Sequence, residues 1–326
     1  MMNEKFPWAK INKPSLGYNV LLVDPGHPHD FYWGKDSEGY CLLVLNIDED
    51  GYKEFLKKKT IDFKGIKTDL RVSHDGDKYV FVLSLQRHSD DDIFLCICND
   101  LIECTKKVEG TRAAVEKIHS RLQVWRTFLS KNQRYLLSEQ EVRGLFAELV
   151  FLENCINNNI YTLASIINGW QGPLDGPHDF VLGDIAVEVK SIANSSKNAV
   201  RISSENQLVT NLSRLYLQVF FLAEYTDGIS GSSLNDIVGR LRNRLEDTDF
   251  LDTFNNRLHS AGYIDLTDYA TPSFSVIQKP AYEVRENFPR IIPQMLSSGL
   301  HNVSYDLDLN TVEAFCIACP LDERRI

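Results

Sequence analysis

Residues 177–191 constrain the fold of this chain more than any other stretch, because they predict a tight β-hairpin. Two short apolar segments meet at Gly183-Asp184, a two-residue connection of the kind that joins antiparallel strands. In the register that this turn imposes, the numbers of opposed residues sum to 367, so Asp179 faces Glu188. Two directly opposed carboxylates repel each other, and something must compensate for that repulsion.

The second strand of the hairpin supplies a candidate for this compensation. By the strand period of two, Lys190 points to the same face as Glu188, and both charges interrupt an otherwise apolar segment. Two carboxylates beside an ammonium group can bind a divalent cation through hard oxygen ligands. The alternative from the residues alone is an edge hairpin whose polar face is only solvated.

The arrangement of Asp179, Glu188 and Lys190 around a turn resembles the core of the PD-(D/E)XK nucleases. Asp179 takes the place of the first acid, and Glu188 and Lys190 take the places of the E-x-K triplet. His178 stands where the family motif has proline, a position without a chemical role. The chain is similar to PD-(D/E)XK proteins found beside restriction-modification and phage-defence genes, and the resemblance is strongest over residues 144–208.

The resemblance implies roles for the hairpin residues. Asp179, Glu188 and the carbonyl group of Val189 are expected to bind Mg²⁺, with Mn²⁺ as a possible substitute. Lys190 is expected to orient or help deprotonate the attacking water and to stabilise the transition state. The expected reaction is metal-dependent hydrolysis of a phosphodiester bond.

Two further residues enter through the resemblance. Glu148 lies in a segment similar to the family's first helix, whose glutamate adds a carboxylate to the metal site. Glu153 lies nearer the middle of the same apolar stripe and competes with Glu148 on periodicity alone. Gln207 matches a glutamine at the start of the helix after the core strands, although an ordinary polar residue in a first helical turn explains it equally well.

The remaining pattern predicts an α/β (α+β) fold with two domains. Residues 1–110 read as a smaller β-rich domain that contacts DNA or a partner, and a buried strand is predicted at 93–98. Residues 111–326 read as a restriction-endonuclease-like domain, a mixed β-sheet flanked by helices. A capping box at Ser138 and Glu141 marks the start of the helix that carries Glu148.

Composition limits the function classes. The N-terminus lacks the apolar run of a signal peptide and no segment has the length of a membrane span, so a cytoplasmic protein is expected. The net charge of −10 is unusual for a DNA-binding protein, which should present a basic face. Candidate basic segments are Lys57 to Lys59, the helix with Arg121 and Arg126, residues 131–134, and Arg240, Arg242 and Arg244.

The function expected from the sequence is therefore a magnesium-dependent endodeoxyribonuclease of a restriction-modification or phage-defence system. The expected substrate is DNA, a DNA methyltransferase or ATPase subunit is a candidate partner, and a homodimer would let one site per chain cut both strands. The alternative is a catalytically silent or partner-dependent subunit that keeps the nuclease fold as a DNA-binding or assembly module.

Overall fold

The computed structural model describes residues 6–72, 79–86, 91–131, 136–174, 176–193 and 198–318. The chain forms two compact units, Met1–Tyr135 and Leu136–Ile326. The division falls after the helix that begins at Thr111, whereas the sequence suggested a boundary before it. The helix packs against the two other helices of the first unit.

The first unit is an antiparallel sheet with three helices. Its strands run in the order β1-β2-β3-β5-β4, and neighbouring strands along this order are antiparallel. The strands are β1 (Tyr18–Leu22), β2 (Phe31–Asp36), β3 (Cys41–Ile47), β4 (Ile66–Val72) and β5 (Tyr79–Leu85). The helices are α1 (Glu49–Lys57), α2 (Asp91–Thr105) and α3 (Thr111–Lys131).

Residues 93–98 are helical, so the strand predicted there is wrong. They lie within α2, whose buried residues are Ile93, Phe94, Ile97, Cys98, Leu101, Ile102 and Thr105. These positions recur at intervals of three and four, which is the period of a helix. The six-residue apolar run alone could not separate a buried strand from a buried helix. The helical period becomes visible only with the burial of Leu101 and Thr105, one and two turns after Ile97.

Helix α3 packs against α1 and α2 of the first unit, and a buried polar contact also joins it to α2. Asp100 on α2 accepts hydrogen bonds from Arg121 Nη2 at 2.8 Å and from Trp125 Nε1 at 2.7 Å. Arg121 is only 7% exposed, so its charge is used inside this unit. The guanidinium group of Arg121 therefore contributes to helix packing and not to a basic surface.

The second unit is built on a mixed sheet flanked by helices, which confirms the predicted fold class. Strand β9 pairs with β7 in parallel, β7 pairs with β6 antiparallel, and the other edge of β9 pairs with β11 and β12. The strands are β6 (Phe180–Leu182), β7 (Ile185–Ala193), β8 (Ala199–Ile202), β9 (Arg214–Tyr225), β10 (Ser232–Ser233), β11 (Ser273–Gln278), β12 (Ala281–Glu283), β13 (Tyr305–Asp308) and β14 (Cys316–Ile317). The helices are α4 (Glu139–Asn158), α5 (Leu163–Gly169), α6 (Leu234–Leu245) and α7 (Leu251–Ser260).

Strand β9 lies at the centre of this sheet because its residues are apolar on both faces. Residues 215–220 are all buried, as expected for a strand covered on both sides. Helix α4 packs against β7, and the predicted capping box of Ser138 and Glu141 starts this helix. Strand β8 pairs with β13 in a separate two-stranded sheet.

Candidate active site

The hairpin of β6 and β7 has the register expected from its sequence. Phe180 pairs with Val187 and Leu182 with Ile185, and Gly183 takes a positive φ of 65° in the turn. A positive φ at this position is what a two-residue hairpin turn requires and what glycine adopts without strain. The register therefore places Asp179, which directly precedes β6, beside the middle of β7.

Asp179 is held against β7 by a backbone hydrogen bond. Its Oδ2 accepts the N–H of Val189 at 2.7 Å. The backbone carbonyl of Asp179 accepts the N–H groups of Gln171 at 2.7 Å and Gly172 at 3.0 Å. Both the carboxylate and the main chain of Asp179 are thus fixed, one to the strand and the other to the loop that precedes the hairpin.

Glu188 and Lys190 are in direct contact on one face of β7, where Lys190 donates a hydrogen bond to Glu188. The Nζ of Lys190 lies 2.6 Å from Oε1 of Glu188, and the Glu188 side chain is 1% exposed against 17% for Lys190. This contact gives the charged ammonium group of Lys190 a partner. The apolar surroundings in the sequence require such a partner for a buried charge.

Glu148 reaches the same place from α4. Its Oε2 accepts a hydrogen bond from Trp170 Nε1 at 2.7 Å, and Trp170 is fully buried. Glu153, the competing glutamate, instead faces α6 and pairs with Arg240 at 2.9 Å. The structure thus brings Glu148 to Asp179, Glu188 and Lys190 and leaves Glu153 outside the site.

Trp170 and Gly172 belong to the site, although the sequence did not indicate them. A Cβ atom added at Gly172 would lie 2.8 Å from Oε2 of Glu148 and 3.0 Å from Oδ1 of Asp179. These two oxygens therefore share a space that only a glycine leaves open. The signal in the sequence is slight: a tryptophan between two glycines in the loop before the hairpin.

The carboxylates of the site are harder to ionise than ordinary acids. Burial, helped by the charge of Asp179, raises the pKa of Glu188 to about 8 even though Lys190 lowers it. Burial likewise raises the pKa of Asp179. Burial raises the pKa of Glu148 well above its usual value, and the charge of Asp179 raises it further. Burial alone would lower the pKa of Lys190, but Glu188, Asp179 and Glu148 raise it overall, so its ammonium stays charged.

Gln207 lies outside this group. Residues 205–208 form a turn and not the predicted helix, and the amide oxygen of Gln207 accepts the N–H of Ser203 at 2.7 Å. A side chain used to close its own turn cannot at the same time reach the carboxylates. The structure therefore does not bring Gln207 to the site.

An open cleft of about 550 Å³ gives access to these residues. Helix α4, strand β7 and strand β8 form its walls. Glu148, Asp179, Val189 and Lys190 line the cleft, while Glu188 is buried and is not among the residues that line it. A substrate that enters the cleft would meet Lys190 and the two accessible acids together.

The donor chemistry of the site fits a hard divalent cation. Within the described ranges, no three or more His, Cys, Asp and Glu side chains form a preformed metal site. Asp179 and Glu188 each have one oxygen engaged, by the Val189 N–H and by Lys190, and each has a second oxygen to offer. Carboxylate and carbonyl oxygens suit Mg²⁺ or Mn²⁺ better than zinc or copper.

Comparison with known families agrees with this geometry. Residues 5–310 match the model of the family described as "Putative PD-(D/E)XK family member, (DUF4420)". The chain belongs to this family, and its mixed α/β architecture is consistent with a PD-(D/E)XK-like fold. Neither the curated proteins nor the solved structures contain a match to the chain. No helix in the described part of the chain has the length and apolar character needed to cross a membrane.

The raised pKa of Glu188 predicts that the protein loses stability as the pH rises. Between the ordinary value of 4.5 and about 8, the native state holds a proton that the unfolded chain has released, so unfolding becomes more favourable with increasing pH. One shifted group changes stability by up to about 1.4 kcal/mol per pH unit. We expect Glu188→Gln to reduce the loss of stability between pH 5 and pH 8 by about 1–3 kcal/mol.

Urea unfolding of the metal-free protein at both pH values measures this difference. Glu153→Gln is the matched control, because Glu153 lies on α4 outside the site and pairs with Arg240. The free energy of unfolding of Glu153→Gln should change with pH as that of the wild-type protein does. Equal pH dependence in Glu188→Gln and the wild-type protein would contradict the assigned shift.

The close approach at Gly172 predicts that a side chain at this position destabilises the protein. We expect Gly172→Ala to destabilise the protein by about 1–3 kcal/mol, because the methyl group displaces the buried carboxylate of Glu148 from Trp170. Gly239→Ala is the control: Gly239 lies within α6 with nothing within 4 Å of its added Cβ. That change should instead stabilise the protein by about 0.5–1 kcal/mol, as alanine does in a helix. Unfolding free energies would contradict the prediction if Gly172→Ala were as stable as the wild-type protein.

Proposed function

We propose that this protein is a metal-dependent endodeoxyribonuclease that hydrolyses phosphodiester bonds of DNA with Mg²⁺, for which Mn²⁺ can substitute. The observation that carries the proposal is the meeting of Asp179, Glu188, Lys190 and Glu148 at one cleft, in a chain that belongs to a PD-(D/E)XK family. The proposal includes a role in restriction-modification or phage defence, which rests on the resemblance alone.

In this proposal the acids provide the metal ligands. Asp179 and Glu188 offer carboxylate oxygens. Val189, the residue after Glu188 on β7, offers its carbonyl oxygen, and Glu148 adds a further carboxylate from α4. A divalent cation at this place would supply Lewis-acid activation of water and neutralise charge on the phosphate. The raised pKa values of the acids support this role, because three carboxylates that resist ionisation would be stabilised by a positive ion.

Lys190 is proposed to orient the attacking water and to stabilise the charge that develops on the phosphate. Its Nζ is fixed by Glu188 and its pKa is raised, so it carries a proton at neutral pH. A protonated lysine donates hydrogen bonds and cannot accept a proton. This supports the orienting and electrostatic role of Lys190 over a role as general base.

The proposal predicts that purified protein nicks and linearises unmodified supercoiled plasmid in Mg²⁺ or Mn²⁺. Asp179→Ala and Lys190→Ala should each lower the cleavage rate by about 10²-fold or more, because each removes charge stabilisation at the reacting phosphate. Lys190→Ala should still bind Mn²⁺ in calorimetry, whereas Asp179→Ala should not. Circular dichroism would verify that both variants remain folded.

A separate prediction distinguishes the two glutamates of α4. Glu148→Gln should lower the cleavage rate, since it removes a carboxylate from the cleft, and Glu153→Gln should leave that rate unchanged. Both changes neutralise a glutamate on the same helix, so a difference between them reports the site and not the helix. Equal rates in the two variants would remove Glu148 from the proposed mechanism.

The same assays decide against the proposal if the wild-type protein fails them. No cleavage of any DNA, together with no heat of Mn²⁺ binding, would favour a catalytically silent subunit. Mn²⁺ binding without cleavage by the isolated chain, with cleavage restored in an extract of the native host, would favour a partner-dependent enzyme, for which a methyltransferase or ATPase subunit is the candidate.

A further inference from the structure

The walls of the cleft carry two arginines that the proposed chemistry does not use. Arg143 lies on α4 and Arg201 on β8, and both line the same cleft as Lys190. Arg143 and Glu148 are on the same helix, with Gln140 and Gly144 also facing the cleft. Each arginine therefore shares an open space with the residues proposed to act on the phosphate.

Arg143 is only loosely held by its neighbour. Its Nη1 lies 3.5 Å from Oε2 of Glu224, and its side chain is 24% exposed. Charge-assisted hydrogen bonds between such groups are usually about 2.7–2.9 Å long. Because the contact is long, exchanging it for a phosphate oxygen would sacrifice little interaction energy.

Arg201 is more exposed and better oriented. Its Nη1 donates to Oδ1 of Asp306 at 3.1 Å and its Nη2 donates to Oγ of Ser304 at 2.5 Å, both from the segment around β13. Its side chain is 50% exposed, so the guanidinium group remains accessible from the cleft. The paired strand β13 thus presents Arg201 without burying it.

Other arginines of the second unit are used differently. Arg240 pairs with Glu153 at 2.9 Å and Arg242 pairs with Asp265 at 2.6 Å, and neither lines the cleft. Arg143 and Arg201 therefore differ from Arg240 and Arg242 because they line the cleft. Arginine is well suited to phosphate groups because its planar guanidinium group can donate two parallel hydrogen bonds.

We propose that Arg143 and Arg201 bind the backbone phosphates of the DNA strand whose scissile phosphodiester lies at Lys190. This inference rests on the proposed function and adds the residues that position its substrate. Arg143, Arg201 and Lys190 line the same cleft as Glu148, Asp179 and Asp306, so the cleft carries equal numbers of basic and acidic side chains. Affinity for DNA then depends on these few cations and on the bound metal ion, and it falls as salt increases.

Binding of a fluorescent DNA duplex, followed by anisotropy in Ca²⁺ over a range of salt concentrations, tests the inference without turnover. We expect Arg143→Gln and Arg201→Gln each to weaken binding about tenfold and to reduce the slope of log affinity against log salt by about 1. Arg143→Lys should restore the salt slope more than the affinity, because lysine keeps the charge but loses the planar fork. Arg240→Gln is the matched control and should bind DNA as the wild-type protein does.

Cleavage in Mg²⁺ supplies a second measurement. Loss of a phosphate contact remote from the reacting atoms should raise KM with little change in kcat. Unchanged KM and unchanged salt slope in both arginine variants, with a wild-type protein that cleaves, would overturn the inference and leave the proposed nuclease intact. A wild-type protein that binds DNA through both arginines but cleaves nothing on its own would support phosphate binding by the two arginines and contradict cleavage by the isolated chain. A wild-type protein that does not bind DNA would overturn both.

Discussion

The burial of Glu188 beside Asp179 is the constraint on which the rest of the site depends. Two carboxylates in apolar surroundings cost folding free energy, and the hairpin register places them side by side. Lys190 lies 2.6 Å from Glu188, and the backbone N–H of Val189 donates to Asp179, yet the pKa of Glu188 is still about 8. The protein therefore compensates only part of the repulsion, and a site in this condition gains stability from a positive ion.

Much of the second unit serves to fix these side chains. The parallel pairing of β7 with β9 holds the strand that carries Glu188 and Lys190 in the interior of the sheet. Helix α4 packs on β7 and presents Glu148, while the loop before the hairpin donates two backbone hydrogen bonds to the carbonyl of Asp179. Groups held on rigid elements keep their geometry better than groups on loops, which is a requirement for positioning a reacting phosphate.

The sequence predicted the contacts that depend on local geometry, and it did not predict the contacts between segments that are distant in the chain. The register of Asp179 against Glu188 follows from a two-residue turn, and the face of Lys190 follows from the strand period. Trp170 and Gly172 were missed because their contacts with Glu148 and Asp179 arise only when the loop folds over the hairpin. Gln207 was expected on a helix that does not form, because a serine followed by polar residues also suits a turn closed by a side chain. The length of the buried run at 93–98 could not separate strand from helix.

The acidic charge of the chain has a structural explanation that does not exclude a nucleic-acid substrate. Two basic residues that the sequence offered as a DNA-binding surface are paired with acids within their own unit: Arg121 with Asp100 and Arg240 with Glu153. What matters for a phosphate backbone is the charge where the backbone lies, and the net charge of −10 is a sum over all surfaces. In the cleft, the raised pKa values of Glu148 and Asp179 reduce the negative charge that a phosphate would meet. An acidic protein can therefore present a cleft whose local charge is close to neutral, and a divalent ion bound there would make the cleft positive.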